Sequence, residues 1–520
     1  MQDDVKQEIS QASLELEQSR HITRGISSLT IQNQATSALG FIYLAVLLRL
    51  LPDVDYGIYS AMAVTVGIAS VIAPMGLQYA AAKFLADIQD IVELRSRAKK
   101  IVMMSLFTSI IAFTVFIVLA GTLSIYFTKS PKWSDAFIIG GVWLFTSSLS
   151  SVVQGTVQGL KKYTSLAGML FVARVVMVVF TIGSLELTHN LYDSFYAWII
   201  YFAILIVWSI QILVKSLPRA SQFKYPPSTD SLTYRDLLKY CVPLGIAGIF
   251  FVLTTEVDLV VVGGDMNPTS LGIYNTAVTI SNVLNFVLIA PLVTTLLPEA
   301  SLRIKNPFQI SNGMRLAIRF VFLSVLPASF LMAAVSPQLL ELFSGGTRYS
   351  SGAKPLEIIA VFYVFFAVQY VIYSILQAKG NTVLVLAISA ISAVTIFGLS
   401  EILVPPFGLI GASVARSVSA IVGMIAACYL ARDFLRKIDG SKFYVKALIS
   451  SAIPFIVIWS LTTFVSDRDW TIIPYTAIGG LIFVACLLLT RVLTKEDKAF
   501  IFGAMPASIR GKIALLNEDG

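Results

Sequence analysis

Fourteen stretches of this chain run on with hardly a charged residue, at 25–50, 57–79, 101–126, 134–158, 164–187, 191–214, 238–262, 270–297, 314–342, 354–378, 382–403, 407–431, 447–466 and 471–493. A bilayer's hydrocarbon layer is about 30 Å thick, and a helix crosses it in about 20 residues. Backbone groups inside that layer find no water, so a crossing segment must satisfy its own N–H and C=O groups. A helix does this alone, whereas barrel strands are shorter and alternate in polarity. The runs therefore predict an all-α polytopic membrane protein of about 14 transmembrane helices. Composition excludes a water-soluble domain: 56% of the 520 residues are hydrophobic and 13% charged, against about 25% charged in soluble domains.

Cys241, Cys428 and Cys486 all lie inside apolar runs without Cys-x-x-Cys spacing, which supports neither a disulfide framework nor a zinc site. The first 23 residues carry Asp3, Asp4, Lys6, Glu8, Glu15, Glu17 and Arg20 with no continuous apolar core. That is unlike a cleavable signal, and the first span is expected to stay as an anchor. An even number of spans puts both termini on one side. With basic residues in the end turns of spans assigned to the adjoining loops, that side collects 30 of the 38 Lys and Arg residues and the other holds only Lys129, Lys132, Arg348, Lys354 and Arg468, while Arg49, Arg174 and Arg416 are counted within spans. The excess marks the cytoplasmic face of a plasma or bacterial inner membrane and explains the net charge of +8 without nucleic acid.

The polar interruption Lys215 to Tyr234 divides twelve spans into two sixes. Across it the chain repeats itself. Gly57-Ile58-Tyr59-Ser60 matches Gly272-Ile273-Tyr274-Asn275, Ala73-Pro74 matches Ala290-Pro291, and Gln158-Gly159-Leu160-Lys161-Lys162 matches Gln377-Ala378-Lys379-Gly380, at offsets of 215, 217 and 219. The expected organisation is a cytoplasmic N-tail (1–23), an N-lobe of helices 1–6 (24–215), a linker (216–235), a C-lobe of helices 7–12 (236–432), extra helices 13 and 14 (433–495) and a cytoplasmic C-tail (496–520). Two parallel, pseudo-symmetric six-helix lobes are a transporter plan with the substrate between them.

Few parts for catalysis are present. His21 and His189 belong to no triad or metal cluster, and no Gly-x-x-x-x-Gly-Lys-Ser/Thr loop exists. No catalytic residue, metal or cofactor is expected, so transport would be driven by ions, membrane potential or a substrate gradient. Asp53-Val54-Asp55 and Asp467-Arg468-Asp469 have the acidic spacing of metal-dependent membrane glycosyltransferases, but the outer loops are short. Beside Pro52 the first pair reads better as solvated turn residues.

Charged groups within spans cost about 2.5 to 3.5 kcal/mol each at a helix centre on insertion scales, and so tend to face a cavity. Arg174 lies eleven residues into its span, about 16 Å deep at 1.5 Å per residue. Arg416 is similarly central, Arg49 sits near the outer end of span one, and Arg24 guards its start. A guanidinium fork suits phosphate, which makes these four substrate-binding candidates; the competing readings are snorkelling for Arg24 and Arg49 and structural ion pairs for Arg174 and Arg416. Glu256 and Asp258 are candidates for ion coupling. Two residues apart, they point about 200° from each other, so at most one lines a cavity and the other pairs with an arginine or packs elsewhere. Asn275, Asn282 and Asn285 share a face of span eight, and Ser28, Gln32 and Thr36 a face of span one. Gln32, Asn282 and Asn285 are candidates for sugar hydroxyls, with helix-to-helix adhesion the alternative. Gly155 and Gly159 have the small-xxx-small spacing of close helix packing. Residues 80–99, with Phe84, Leu85, Ile88 and Val92 among charges, form an amphipathic elbow, and the C-tail is expected to lie on anionic lipid.

The stretch Leu48-Arg49-Leu50-Leu51-Pro52-Asp53-Val54-Asp55-Tyr56-Gly57-Ile58-Tyr59 resembles the opening signature of polysaccharide biosynthesis proteins. These form the lipid-linked oligosaccharide flippase branch of the multidrug/oligosaccharidyl-lipid/polysaccharide exporter superfamily. Gly76-Leu77 through Ala82-Lys83, Asp258 through Leu271-Gly272-Ile273-Tyr274, and Phe407-Gly408-Leu409-Ile410-Gly411-Ala412 are similar to that pattern too. The resemblance implies alternating access that turns a polyprenyl phosphate- or pyrophosphate-linked glycan from the inner to the outer leaflet. It implies a basic cavity, which suits Arg49, Arg174 and Arg416, and partnership with membrane lipids and with glycosyltransferases or a polymerase of the same pathway. The competing functions are a cation-coupled drug or small-molecule antiporter of the same superfamily, a membrane glycosyltransferase and a non-transporting scaffold.

Overall fold

The computed structural model describes residues 29, 31–86, 88, 91–216, 232–293, 307–435, 440–464 and 471–492. They form α1 (Ile31–Leu50), α2 (Asp53–Ile72), α3 (Leu77–Phe84), α4 (Ile91–Thr128), α5 (Ser134–Gly159), α6 (Tyr163–Thr188), α7 (Leu191–Ser216), α8 (Tyr234–Asp265) and α9 (Pro268–Ser281). After these come α10 (Pro307–Ala334), α11 (Ser336–Ser344), α12 (Ala353–Ala378), α13 (Thr382–Leu430), α14 (Ser441–Phe464) and α15 (Ile472–Thr490). Among the described residues 13 helices are long and apolar enough to cross a membrane. One of them crosses twice. The 49 residues of α13 would reach about 74 Å if straight. Pro405 and Pro406 precede Gly408, whose φ of 57° and ψ of −134° reverse the chain. The Ser419 hydroxyl donates to the Ser392 carbonyl at 2.9 Å, so the two arms lie side by side. Fourteen crossings result, the number the apolar runs predict.

Three boundaries depart from the sequence reading. The elbow expected over 80–99 is two pieces: α3, and the opening turns of α4, which begins at Ile91 and runs 38 residues. Glu93, Arg97 and Lys99 are good helix formers, and the Glu93–Arg97 ion pair at i, i+4 carries the helix beyond the apolar run. Span nine starts earlier, at Pro307, and breaks at Val335 into α11. Span eight is regular only to Ser281, followed by a π turn over Asn285–Ile289. Pro291 offers no N–H and its ring crowds the carbonyl four residues back, which a widened turn relieves. At the start of α8 a capping box joins Thr233 and Asp236, with backbone-to-side-chain bonds of 3.2 and 3.3 Å.

By contact the chain forms two compact units: Met1–Ile280 with Leu340–Pro355 and Asn381–Gly423, and Ser281–Leu339 with Leu356–Gly380 and Met424–Gly520. This grouping cuts across the two runs of six spans. In the first unit Leu77, Ala80, Leu94, Ala98, Val152, Leu237 and Cys241 bind α3, α4, α5 and α8 into one core. A Cβ at Gly155 would lie 2.4 Å from the Gln78 carbonyl oxygen and one at Gly159 2.7 Å from that of Ala81, so α5 touches α3 backbone to backbone. In the second unit α10, α14 and α15 meet around Ala334, Ile458 and Tyr475, with Phe330 and Phe455 centroids 5.5 Å apart. Apolar side chains such as Leu187, Val383 and Leu489 stay exposed, the surface a lipid-solvated bundle presents.

Candidate functional site

The internal repeat has a physical centre. Gly57 of α2 and Gly272 of α9, matched at the 215 offset, face each other: a Cβ on Gly272 would stand 3.1 Å from the Gly57 Cα. One turn on, the Asn275 amide donates to the Ser60 hydroxyl at 3.1 Å, again a matched pair. Residues that meet their own counterparts lie on a two-fold axis, as at an isologous interface.

Around that axis equivalent positions carry different chemistry. Asp258 of α8, Tyr274 of α9 and Arg416 on the second arm of α13 form a buried cluster. Arg416 Nε donates to Asp258 Oδ2 and Nη2 to Oδ1, both at 2.7 Å, while Nη2 also reaches the Thr255 carbonyl at 2.6 Å. The Tyr274 hydroxyl donates to Oδ2 at 2.6 Å, and the Leu259 N–H to Oδ1 at 3.0 Å. Asp258 and Tyr274 have no exposed surface. The counterparts of Asp258 and Tyr274 at offset 215 are Tyr43 and Tyr59, and that of Arg416 at offset 218 is Trp198. They also cluster. Trp198 Nε1 donates to the Tyr59 hydroxyl at 3.0 Å, and Tyr43 packs on Tyr59 and Trp198 with centroids 6.2 and 6.0 Å apart. One three-helix junction is thus closed by an ion pair and the other by aromatic rings.

Arg174 of α6 enters the aromatic junction. Its Cζ lies 4.9 Å from the Trp198 centroid, 5.8 Å from Tyr43 and 5.9 Å from Tyr201. Nη1 reaches only the Met177 sulfur, at 3.4 Å. Nε is buried with no hydrogen-bond partner, and no carboxylate among the described residues pairs with the group. Gly40 of α1 makes room for it, since a Cβ there would be 3.0 Å from Nη2. Cation–π contacts give about 0.5–2 kcal/mol but do not neutralise the charge. The rings hold the guanidinium in place with donors unspent, an arrangement suited to an oxyanion.

The remaining candidates are dispersed. Arg49 donates to the Leu342 and Phe343 carbonyls at 2.6 and 3.3 Å, and Arg348 to those of Leu48 and Arg49 at 2.9 and 3.4 Å. Arg348 also pairs with Asp53 at 3.4 Å. Gln32 donates to Thr36 Oγ1 at 3.1 Å while its Oε1 is buried without a partner. Asn282 accepts from the Tyr363 hydroxyl at 3.1 Å; Asn285 opens the π turn with its Oδ1 buried and unpartnered. Glu256 is half-buried and forms no hydrogen bond or ion pair among the described residues. Arg24, Ser28 and Asp467-Arg468-Asp469 lie outside the described residues.

A family model described as polysaccharide biosynthesis protein matches residues 46–350. The chain belongs to the polysaccharide biosynthesis protein family. The match contains Arg49, Arg174, Asp258, Tyr274 and Arg348 but ends before Arg416. A membrane protein of Methanocaldococcus jannaschii, MJ1375, is 22% identical over 402 residues, 76% of this chain and 94% of that one. YabM of Bacillus subtilis is 24% identical over 294 residues, 52% of this chain and 53% of that one. The probable low-salt glycan biosynthesis flippase Agl15 of Haloferax volcanii is 24% identical over 218 residues, 42% and 45%. The chain thus spans about half the length of the Bacillus and Haloferax relatives it matches. Among solved structures, a lipid II flippase, MurJ, in an inward closed conformation superposes with a TM-score of 0.73 at 15% identity, covering 89% of this chain and 98% of that one. An inward-facing multidrug resistance MATE transporter of the MOP superfamily gives 0.59 at 12% identity, covering 84% and 96%. The family and the fold of that superfamily are those the sequence resemblance implies.

Tyr43, Trp198, Tyr201, Tyr274 and Arg348 are site residues that sequence reasoning missed. For two of them a signal was present: Tyr274 sits in the repeated Gly-Ile-Tyr motif, and subtracting the repeat offset from Asp258 lands on Tyr43.

Proposed function

We propose that the protein is a flippase that turns a polyprenyl phosphate- or pyrophosphate-linked oligosaccharide from the cytoplasmic to the outer leaflet by alternating access of two six-helix lobes. Both termini face the cytoplasm, and the product feeds surface polysaccharide or glycoprotein assembly. The observation that carries this reading is Arg174: a guanidinium held in an aromatic box at mid-span with unspent donors and no carboxylate among the described residues paired with it. A membrane cation without a counter-ion is costly, and a phosphate headgroup supplies the missing charge bidentately. Family membership and the flippase among the relatives support the same substrate class. Arg416 is spent on Asp258 and Arg49 on helix carbonyls, so of these three arginines Arg174 is the one whose donors stay open to an anion.

The test compares leaflets. Cells with Arg174→Ala should accumulate lipid-linked glycan on the cytoplasmic leaflet, read with a label that cannot cross the bilayer, and Arg174→Lys should restore only part of the transfer because ammonium lacks the fork. A leaflet distribution equal to wild type in both variants would overturn the assignment. Coupling falls to Glu256 in preference to Asp258, whose two oxygens are already engaged. Glu256→Gln should abolish the dependence of transport on a cation gradient while leaving glycan binding in place, which a binding assay on the purified protein checks. Gradient dependence equal to wild type would remove Glu256 from the coupling step.

A further inference from the structure

The box around Arg174 carries a single positive charge. Its rings come from Tyr43 of α1 and from Trp198 and Tyr201 of α7, and behind Trp198 the Trp143 and Phe202 rings stack at 5.3 and 5.8 Å. The surroundings are therefore apolar, and ring faces carry a partial negative charge that favours a cation and opposes an anion. Among the described residues the ionised group acting on the Tyr59 and Tyr201 hydroxyls is Arg174, with no carboxylate and no further cation beside it. The other two arginines within spans of the same compact unit are engaged, Arg416 by both oxygens of Asp258 and Arg49 by the Leu342 and Phe343 carbonyls. On Arg174, Nε has no partner, Nη1 meets only a sulfur, and Nη2 lies against Gly40. The guanidinium can thus offer a pair of donors to one phosphoryl group.

From this charge count we infer that the headgroup taken by Arg174 is a phosphodiester with one negative charge, a glycan joined to its polyprenol through a single phosphate, and that the box discriminates against pyrophosphate-linked glycans. The inference rests on the flippase reading above and narrows its substrate. A phosphodiester leaves the box neutral once bound. A pyrophosphodiester brings a second charge on the adjoining phosphoryl group, which would lie among aromatic rings with no cation of the box to meet it. An unpaired charge held away from water is strongly disfavoured. The same monoanionic phosphodiester also occurs in phospholipids such as phosphatidylglycerol, so the chemistry has two sources that binding must separate.

Binding to the full-length protein in detergent tests the charge count, with EDTA present so that no divalent cation neutralises a pyrophosphate. The probes are farnesyl phosphoryl glucose and farnesyl diphosphoryl glucose, alike but for one phosphoryl group. The phosphodiester should bind about tenfold tighter or more. Arg174→Gln should erase that preference, and Arg174→Lys, which keeps the charge, should retain it at weaker affinity. Equal or tighter binding of the diphosphate overturns the inference and leaves the flippase reading standing, whereas saturable binding of neither probe overturns both. A preference that survives Arg174→Gln places the discrimination elsewhere and overturns it for this box. Phosphatidylglycerol at the probe's own concentration should displace little of the phosphodiester; full displacement would assign Arg174 to an ordinary lipid headgroup and overturn the substrate.

Discussion

Asp258→Ala is expected to destabilise the protein by about 3–5 kcal/mol, because it leaves the Arg416 guanidinium buried without its counter-charge. Arg416 donates twice to Asp258, and Asp258 has no exposed surface. Arg416→Ala should be similarly costly, since it strands the carboxylate with only the Tyr274 hydroxyl and the Leu259 N–H. The double variant should be less damaging than the sum of the two, because residues of one network do not act additively. Thermal unfolding in detergent measures all three. Tyr274→Phe removes one charge-assisted bond, about 1.5–3 kcal/mol. Equal and fully additive losses from the two alanines would show that the pair does not act as a unit. The aromatic counterpart, Tyr43–Tyr59–Trp198, fills the equivalent positions without charge. The fold's pseudo-symmetry therefore does not require an ion pair there, and the C-terminal half carries it for a reason specific to that half.

Gly57→Val should disrupt folding more than overpacking of an ordinary core position, which costs about 1–3 kcal/mol. A Cβ at Gly57 would lie 2.0 Å from the Pro268 carbonyl oxygen and 2.3 Å from its carbon, and a backbone at a helix start has little freedom to yield. Gly272→Ala is expected to be milder, its nearest atom being the Gly57 Cα at 3.1 Å. Gly67, on the same helix as Gly57, has nothing within 4 Å of a built Cβ. Gly67→Ala should therefore stabilise, by about 0.5–1 kcal/mol from the lost chain entropy of a helical glycine. Opposite signs for two glycines ten residues apart are read from the yield of folded protein and its melting temperature. A tolerated Gly57→Val would mean that α2 and the start of α9 are not in backbone contact.

The crossings were legible because apolar run length is a property of one segment and needs no partner. The hairpin inside α13 was legible from Pro405 and Pro406, which end one run and begin another. The early start of α4 was not, because hydropathy stops at Arg97, Lys99 and Lys100 while helix propensity does not. For the site, the sequence showed that Arg174, Arg416 and Asp258 sit within spans, and it left pairing with an arginine as one of two readings for the acid that does not line a cavity. It did not show which arginine, because Asp258 and Arg416 are 158 residues apart and the contact depends on how helices stack. The aromatic box was hidden for the same reason, its rings coming from α1 and α7 around a charge on α6. The repeat offsets were visible, but not that Gly57 and Gly272 touch, which follows from the axis passing between them.

Arg348 and Lys129 stand at loops where the chain places few basic residues and Arg49 at the end of α1, and each is tied to carbonyls near the end of another helix, Lys129 to that of Gly264. Such bonds do not exist until the helices have met. On the proposed orientation, insertion is expected to follow the many lysines and arginines at the opposite loops rather than these three. On that orientation, insertion and assembly are expected to draw on separate sets of basic residues. Neutral hydrogen-bonding replacements at these three positions should leave the direction of threading unchanged, as a glycosylation-site reporter in the loops would register, and weaken only the assembled bundle.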